Sequence, residues 1–316
     1  MARCYSRNST VRRLGLLAAW TATLYLASPV SAWTGTGHRI ISAVAYDRLT
    51  PRTRARVDAL IKAHPDYGRF IRDAPTDPAG RARAAFIAAS IWADDIKGDR
   101  RFWDDTSKDA RPTPTLPGFP DMKRHLGWHF YDTPYAPDHA RVQKPHRPNA
   151  LTELPRLIRE LGSAQEPIAA YDLPWVEHIV GDVHQPLHCV SRFLKSDPLP
   201  DNGGNRVILA RYRNLHFLWD QSAGLDQSDG YVARYAAEAT ADHPAPDRIE
   251  ISPKKWVQEG FALAKSEVYT FGTEAGSREH PLELQDAYVE NSLRIAHGQV
   301  AIAGYRLAAV LNQRLK

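Results

Sequence analysis

Two His-x-x-x-Asp pairs constrain this chain more than any other feature. His178 and Asp182 stand four residues apart, as do His216 and Asp220, and a helix stacks positions i and i+4 one turn apart on one face. Each pair therefore asks for a helix that presents an imidazole and a carboxylate together, a two-toothed chelate on a rigid rod. The first pair opens the stretch His178-Ile-Val-Gly-Asp182-Val-His184-Gln-Pro-Leu-His188, which places a further histidine six residues beyond Asp182. A single helical His–Asp pair is most often a surface hydrogen bond. Two pairs with extra histidines between them need another explanation. Imidazole and carboxylate donors without thiols suit zinc in hydrolysis better than zinc that holds a fold.

The first 32 residues read as a secretory signal peptide. Arg3, Arg7, Arg12 and Arg13 form a positive start, Leu14 to Leu26 an apolar centre, and Val30-Ser31-Ala32 a small-residue cleavage site. The apolar part is too short and wrongly flanked for a membrane span, so no stable membrane association is expected. Cleavage after Ala32 leaves a chain that begins at Trp33. The leader holds four of the 41 basic residues and none of the 36 acidic ones, so the remainder carries 37 against 36. The overall pI of 9.1 is then no nucleic-acid signature, and any pull on a polyanion must be local. Of two cysteines, Cys4 leaves with the leader and Cys189 stands alone, which excludes an internal disulfide. The one Asn-x-Ser/Thr sequon, at Asn8, also lies in the leader. These features together point to a periplasmic or secreted bacterial protein, read as a monomer.

No repeat, linker or low-complexity run divides residues 33–316, which read as one domain. Helical spacing predicts helices over His38–Leu49, from Thr50-Pro51 to Ala63, over Ala84–Lys97, Asn149–Leu161, Asn214–Gln221, Pro253–Tyr269 and Leu282–Leu315. Pro174 is read as opening the helix that carries His178. Asp99 to Arg124 is polar and Pro-rich, a long loop of the kind that is often functional. Gly203-Gly204 with Val207 to Tyr212 is the one strand-like piece, read as a small β-hairpin. The expected fold is all-α, a single mainly helical domain.

Six ordered blocks complete the pattern. They are Trp33 with His38; Trp92-Ala93-Asp94; His129-Phe130-Tyr131-Asp132; the 178–188 stretch; Asp201-Asn-Gly-Gly-Asn205; and Asn214-Leu-His216-x2-Trp219-Asp220. In these the chain resembles the trinuclear-zinc nucleases, the single-strand-specific type I nucleases with 3′-nucleotidase activity, which share a fold with zinc-dependent phospholipase C. The resemblance implies three Zn²⁺. One would take Asp94, His129, His178 and Asp182. A second would take the amino group and carbonyl of Trp33 with His38, Asp182 bridging to the first. The third would take His188, His216 and Asp220, leaving open positions as a catalytic zinc needs. Asp94 and Asp182 are accordingly read as catalytic, with Lys97 offsetting charge on the phosphate. Phe130 would stack a base, Asp132 would bond its edge, and Asn205 would hold a phosphate oxygen. The implied activity is that of an endonuclease and 3′-nucleotidase, with single-stranded DNA, RNA and 3′-nucleotides as substrates and 5′-phosphate products, since stacking needs an unpaired base.

Blander roles fit other residues. Asp95 reads as solvated or as a support for Asp94. His184, two residues after Asp182, lies off the ligand face. Cys189 reads as a buried inert thiol, His125, His139 and His146 as surface residues, and Trp92, Trp128 and Trp219 as packing that stiffens the site. Relative to the family, the Ser-Asp-Pro-Leu-Pro segment before Asp201 reads as an insert at the cleft rim. Two rival functions remain: a phospholipase C with the same metals, whose choline pocket would want several aromatics around a cation, and an exported zinc-binding protein without catalysis.

Overall fold

A computed structural model describes residues 33–316; the signal peptide expected over residues 1–32 lies outside the described residues. Local signals set most boundaries. Helix α1 (Gly35–Tyr46) is buried almost all round, with Ile40, Ile41 and Val44 in the core and His38 among its buried polar residues. Helix α2 (Pro51–Ala63) starts where Thr50 accepts the Thr53 N–H and Pro51 occupies the first turn, where its missing N–H costs nothing. A short helix α3 (Tyr67–Phe70) precedes α4 (Pro78–Ala89). The helix expected over Ala84–Lys97 is two elements: α4 begins earlier, under an Asp77 cap, and the chain breaks at Ser90-Ile91 before α5 (Trp92–Asp95).

After the Pro-rich loop, a 3₁₀ turn (Leu126–His129) leads to strand β1 (Pro134–Tyr135). Helix α6 (Ala150–Glu160) has a reciprocal Asn149/Thr152 capping box and tolerates Pro155 inside. Helix α7 (Glu166–Asp182) does not start at Pro174; it starts under Gln165 with Pro167 in its first turn, and Pro174 sits in its interior. An interior proline removes a backbone bond and costs about 3 kcal/mol in isolation. Burial of residues 169–182 against α2 and α6 offsets that cost.

A second 3₁₀ turn (Pro186–Cys189) runs into strand β2 (Ser191–Arg192). Then come α8 (Leu215–Gln221), α9 (Asp229–Asp242), α10 (Pro253–Leu263) with a π-helical extension (Ala264–Val268), and α11 (Asp286–Arg314), which starts four residues later than the expected Leu282.

The fold is all-α, but the hairpin expected at 203–212 is not its β element. The two-stranded sheet is parallel, Pro134 beside Ser191 and Tyr135 beside Arg192. Asn202, Gly203 and Gly204 all have positive φ, which curls this segment tightly. Its later residues bond elsewhere, Ala210 N to Leu282 O and Leu282 N to Ile208 O.

Helix α11 packs along α1 and also meets α7 and α9, while α7 lies against α2 and α6. The main core gathers these faces around Trp33, Trp92 and Trp175, and a second apolar cluster holds Leu187, Leu215 and Trp219. Among the described residues no helix is long and apolar enough to cross a membrane.

Candidate metal centre

Six elements converge on one buried polar region. His38 comes from α1, Asp94 from α5, His129 from the first 3₁₀ turn, His178 and Asp182 from α7, His188 from the second turn, and His216 and Asp220 from α8. Among the described residues three groups of donors could hold a metal ion: His38, His178 and Asp182; Asp94, His129 and His178; and His188, His216 and Asp220, the donor atoms of each lying within 4.8 Å of one another. Asp182 Oδ1 stands 3.4 Å from both His38 Nε2 and His178 Nε2, and its Oδ2 stands 3.0 Å from His129 Nδ1. His178 Nε2 is 3.4 Å from Asp94 Oδ1. The first two groups are therefore joined through His178 and Asp182. In the third, His188 Nε2 is 3.1 Å from His216 Nε2, and His216 Nε2 is 3.5 Å from Asp220 Oδ1.

The backbone fixes which nitrogens face inward. His178 Nδ1 donates to Ser90 O at 2.7 Å. That carbonyl lies at the break between α4 and α5, where the Asp94 N–H turns to Ile91 O instead. His188 Nδ1 donates to His129 O at 2.7 Å, and His216 Nδ1 to Gly203 O at 2.6 Å, from the left-handed segment. With Nδ1–H spent on carbonyls, each Nε2 carries a lone pair. At His188 and His216 two lone pairs therefore point at each other across 3.1 Å. Such a donor set is completed by a cation, and His38 Nε2 and Asp182 Oδ1 are buried without hydrogen-bond partners. The residues fit a metal.

The electrostatics agree. Burial holds His38 down at about 4 and pushes His129 and His188 well below the ordinary histidine range, Lys97 adding to the effect at His129 and His216 at His188. Rings kept neutral are the form that ligates. Burial raises Asp182 to about 8 and Asp220 well above the carboxylate range, the mark of carboxylates desolvated without a countercharge, and a dication reverses that preference. Burial would raise Asp94 too, but Lys97 Nζ, 2.6 Å away, together with His178 and His129, holds it well below.

Other expected residues fall as follows. Trp33 is fully buried, and the next residue's N–H donates to Asp220 O at 3.0 Å, which ties the start of the described chain to α8. Phe130 and Asp132 are half-buried, and Tyr131 N bonds His188 O, so they run beside the second turn. Burial and the nearby Asp201 raise Asp132 to about 7. Asn205 donates from its amide to Asn202 O at 2.9 Å, which uses one of its two N–H groups. Asp95 pairs with Arg69 at 3.2 Å.

His184 faces away from the donors: its Nδ1 donates to Val180 O and Arg306 donates to its Nε2. Cys189 is buried, and burial raises its thiol far above the usual range. His139 and His146 are exposed, but His125 is not a surface residue. It is buried, stacked on Trp128 with centroids 3.6 Å apart, and its Nε2 lies 3.1 Å from Asp121. A turn at positive φ and an aromatic next to a candidate ligand outweigh the polarity of its neighbours.

Two supporting residues escaped the sequence reading. Gln185 donates to Asp220 Oδ1 at 2.8 Å, and its own Oε1 accepts the Leu187 N–H. Gly181 lets the His38 ring lie on α7, stacked on His178 at 4.0 Å, because a Cβ there would stand 2.5 Å from His38 Nδ1. A glycine inside a helix between two ligands was the available signal for it.

A model of the S1/P1 nuclease family matches residues 33–316. The chain belongs to the S1/P1 nuclease family. Among its relatives, Endonuclease 2 of Arabidopsis thaliana is 29% identical over 45% of this chain and 50% of the relative. Endonuclease 4 of the same plant is 26% identical over 61% and 73%, and Nuclease S1 of Aspergillus oryzae 25% over 52% and 60%. The chain thus spans about half the length of the first relative and more of the other two. The family match covers every candidate donor, from His38 to Asp220.

Proposed function

We propose that this S1/P1 family protein is an exported zinc-dependent nuclease and 3′-nucleotidase. It would hydrolyse phosphodiesters of single-stranded DNA and RNA, and the phosphate of 3′-nucleotides, leaving 5′-phosphates on cleaved strands. The observation that carries this reading is the buried meeting of His188 and His216, Nε2 to Nε2, beside two further donor groups that share His178 and are linked by the Asp182–His129 contact. The family match and the endonuclease names of its relatives support it.

In this reading Asp94, His129, His178 and Asp182 hold one zinc; His38, Asp182 and the amino group and carbonyl of Trp33 a second; and His188, His216 and Asp220 a third. Bound zinc supplies Lewis acidity toward the phosphoryl group and lets water attack at neutral pH. The chain's own residues do the rest. Lys97, tied to Asp94, adds positive charge beside the phosphate. Phe130 offers a face for an unpaired base, Asp132 a carboxyl for its edge, and Asn205 an amide for a phosphate oxygen. The leader would be removed after Ala32, which frees the Trp33 amine, and the protein would act outside the cytoplasm as a monomer.

The test is a panel of single-stranded DNA, duplex DNA, RNA, 3′-AMP and phosphatidylcholine, each with chelator and after zinc reloading. Hydrolysis of the single strands and of 3′-AMP, abolished by chelator and restored by zinc, is expected. Turnover of phosphatidylcholine alone would make it a phospholipase C, and tight zinc binding without any turnover would make it a non-catalytic zinc-binding protein.

A further inference from the structure

The segment that leaves β1 carries an uninterrupted run of cations. Between Asp138 and Glu153 there is no acidic residue, while Arg141, Lys144 and Arg147 follow one another at three-residue steps. All three are exposed, as is Lys195 opposite them, and among the described residues none of the four forms an ion pair. Asp138, the nearest acid, accepts the backbone N–H groups of Lys195 and Ala140, which pins the two segments together. Asp197 is paired with Arg206 at 2.9 Å.

Two cavities open on this strip. One of about 580 Å³ is lined by Arg141, Val142, Gln143, Phe193 and Lys195, and one of about 330 Å³ by Tyr131, Lys144, Arg147 and Leu151. Val142 and Leu199 lie exposed on the same segments. Cations interleaved with apolar faces are what a single strand wants, phosphates on the former and bases against the latter. Leu199 belongs to the Ser-Asp-Pro-Leu-Pro segment at the expected cleft rim.

The strip is joined to the metal centre by the chain itself. Tyr131 N bonds His188 O, Ser191 N bonds Thr133 O, and Phe193 N bonds Tyr135 O. The two segments that bring His129 and His188 to the centre thus leave it side by side, and their continuations line the larger cavity. Extended chain rises about 3.3 Å per residue, so Leu194 lies within roughly 20 Å of His188, a reach of several nucleotides.

We propose that Arg141, Lys144, Arg147 and Lys195 form a track for the phosphates of a single-stranded polynucleotide beyond the bond being cut. The inference rests on the nuclease reading and adds to it a length preference: long strands bind better than short ones, while a mononucleotide does not reach the track. The test compares the full protein with the variant R141Q/K144Q/R147Q/K195Q, in which every change is at the surface. The substrates are 3′-AMP and oligothymidylates of about 2 to 16 nucleotides, across a salt series.

The expected result is an unchanged KM for 3′-AMP and for the shortest oligomer, with a KM for the longest raised about tenfold at low salt. The slope of log KM against log salt for the longest strand should fall by about 0.7 for each cation removed, roughly 3 for the four. An unchanged KM and salt slope on the longest strand would overturn the track and leave the nuclease reading standing. Loss of binding to vesicles of anionic phospholipid, with strand length dependence intact, would assign the strip to a lipid surface and overturn it as well. If the unaltered zinc-loaded protein cleaves neither 3′-AMP nor any oligomer, it is the nuclease reading that fails.

Discussion

A histidine ring has two nitrogens, and this protein decides residue by residue how each is spent. At His178, His188 and His216 one nitrogen goes to a backbone carbonyl and the other faces the donor cluster. At His184 both are spent, on Val180 and Arg306. Spacing revealed the pairs His178/Asp182 and His216/Asp220 because helical geometry is local. It could not reveal the carbonyls of Ser90, His129 and Gly203 that set the rings, because each comes from a distant break or turn. His64 shows a third arrangement. Its Nδ1 accepts the Asp66 N–H at 3.0 Å, its ring packs among Phe70, Trp92 and Phe119, and burial lowers it to about 4. The unfolded chain takes a proton on this ring near pH 6.5 and the folded one only near 4, so stability drops as pH falls through that window. From pH 7 to pH 5 this ring should account for about 1–2 kcal/mol. Asn at this position can still accept the Asp66 N–H but does not titrate, so H64N should lose less stability between those pH values than the parent in denaturant titrations. Equal losses would show that His64 does not sense pH.

At the level of elements, the sequence was clearest where caps and prolines agreed and faintest where packing overruled them. Thr50-Pro51 set the start of α2 and Asn214 that of α8, whose N-cap side chain accepts the Phe217 N–H. Pro174 misled because proline is common at a helix start, and only tertiary burial explains why α7 runs through it. Helix α9 buries just Val232, Ala236 and Ala239, so its amphipathic period is too weak to read. The crossing of α1 on α7 depends on a missing side chain at Gly181. Alanine there improves the helix by about 1 kcal/mol, yet its Cβ would press on His38 Nδ1 at 2.5 Å and Cε1 at 2.8 Å. Overpacking of this kind costs about 1–3 kcal/mol. G181A should therefore fold with a Tm within several degrees of the parent while losing about one equivalent of metal and most activity. Full metal content in G181A, measured by elemental analysis, would show that His38 does not depend on this approach.

For the whole molecule, the candidate donors draw together chain positions from His38 to Asp220, and the only described cysteine, Cys189, is free and buried. The described residues hold no covalent staple, so bound metal should supply the cross-links. At a thousandfold excess over its dissociation constant a single bound ion adds about 4 kcal/mol. Chelator should lower Tm clearly and zinc should restore it; a Tm indifferent to both would mean that the apolar core alone holds the fold.

The Pro-rich loop between Asp94 and His129 carries this further. Lys108 lies exposed in it, with Trp33, His38 and Asp94 on one side and the remaining candidate donors on the other. A trypsin cut there would leave two fragments that share ions. They would travel as one particle, held by the ions and by the packing of α1 on α11 and α2 on α7, and stripping the ions should loosen that union as drawing a pin loosens a clasp.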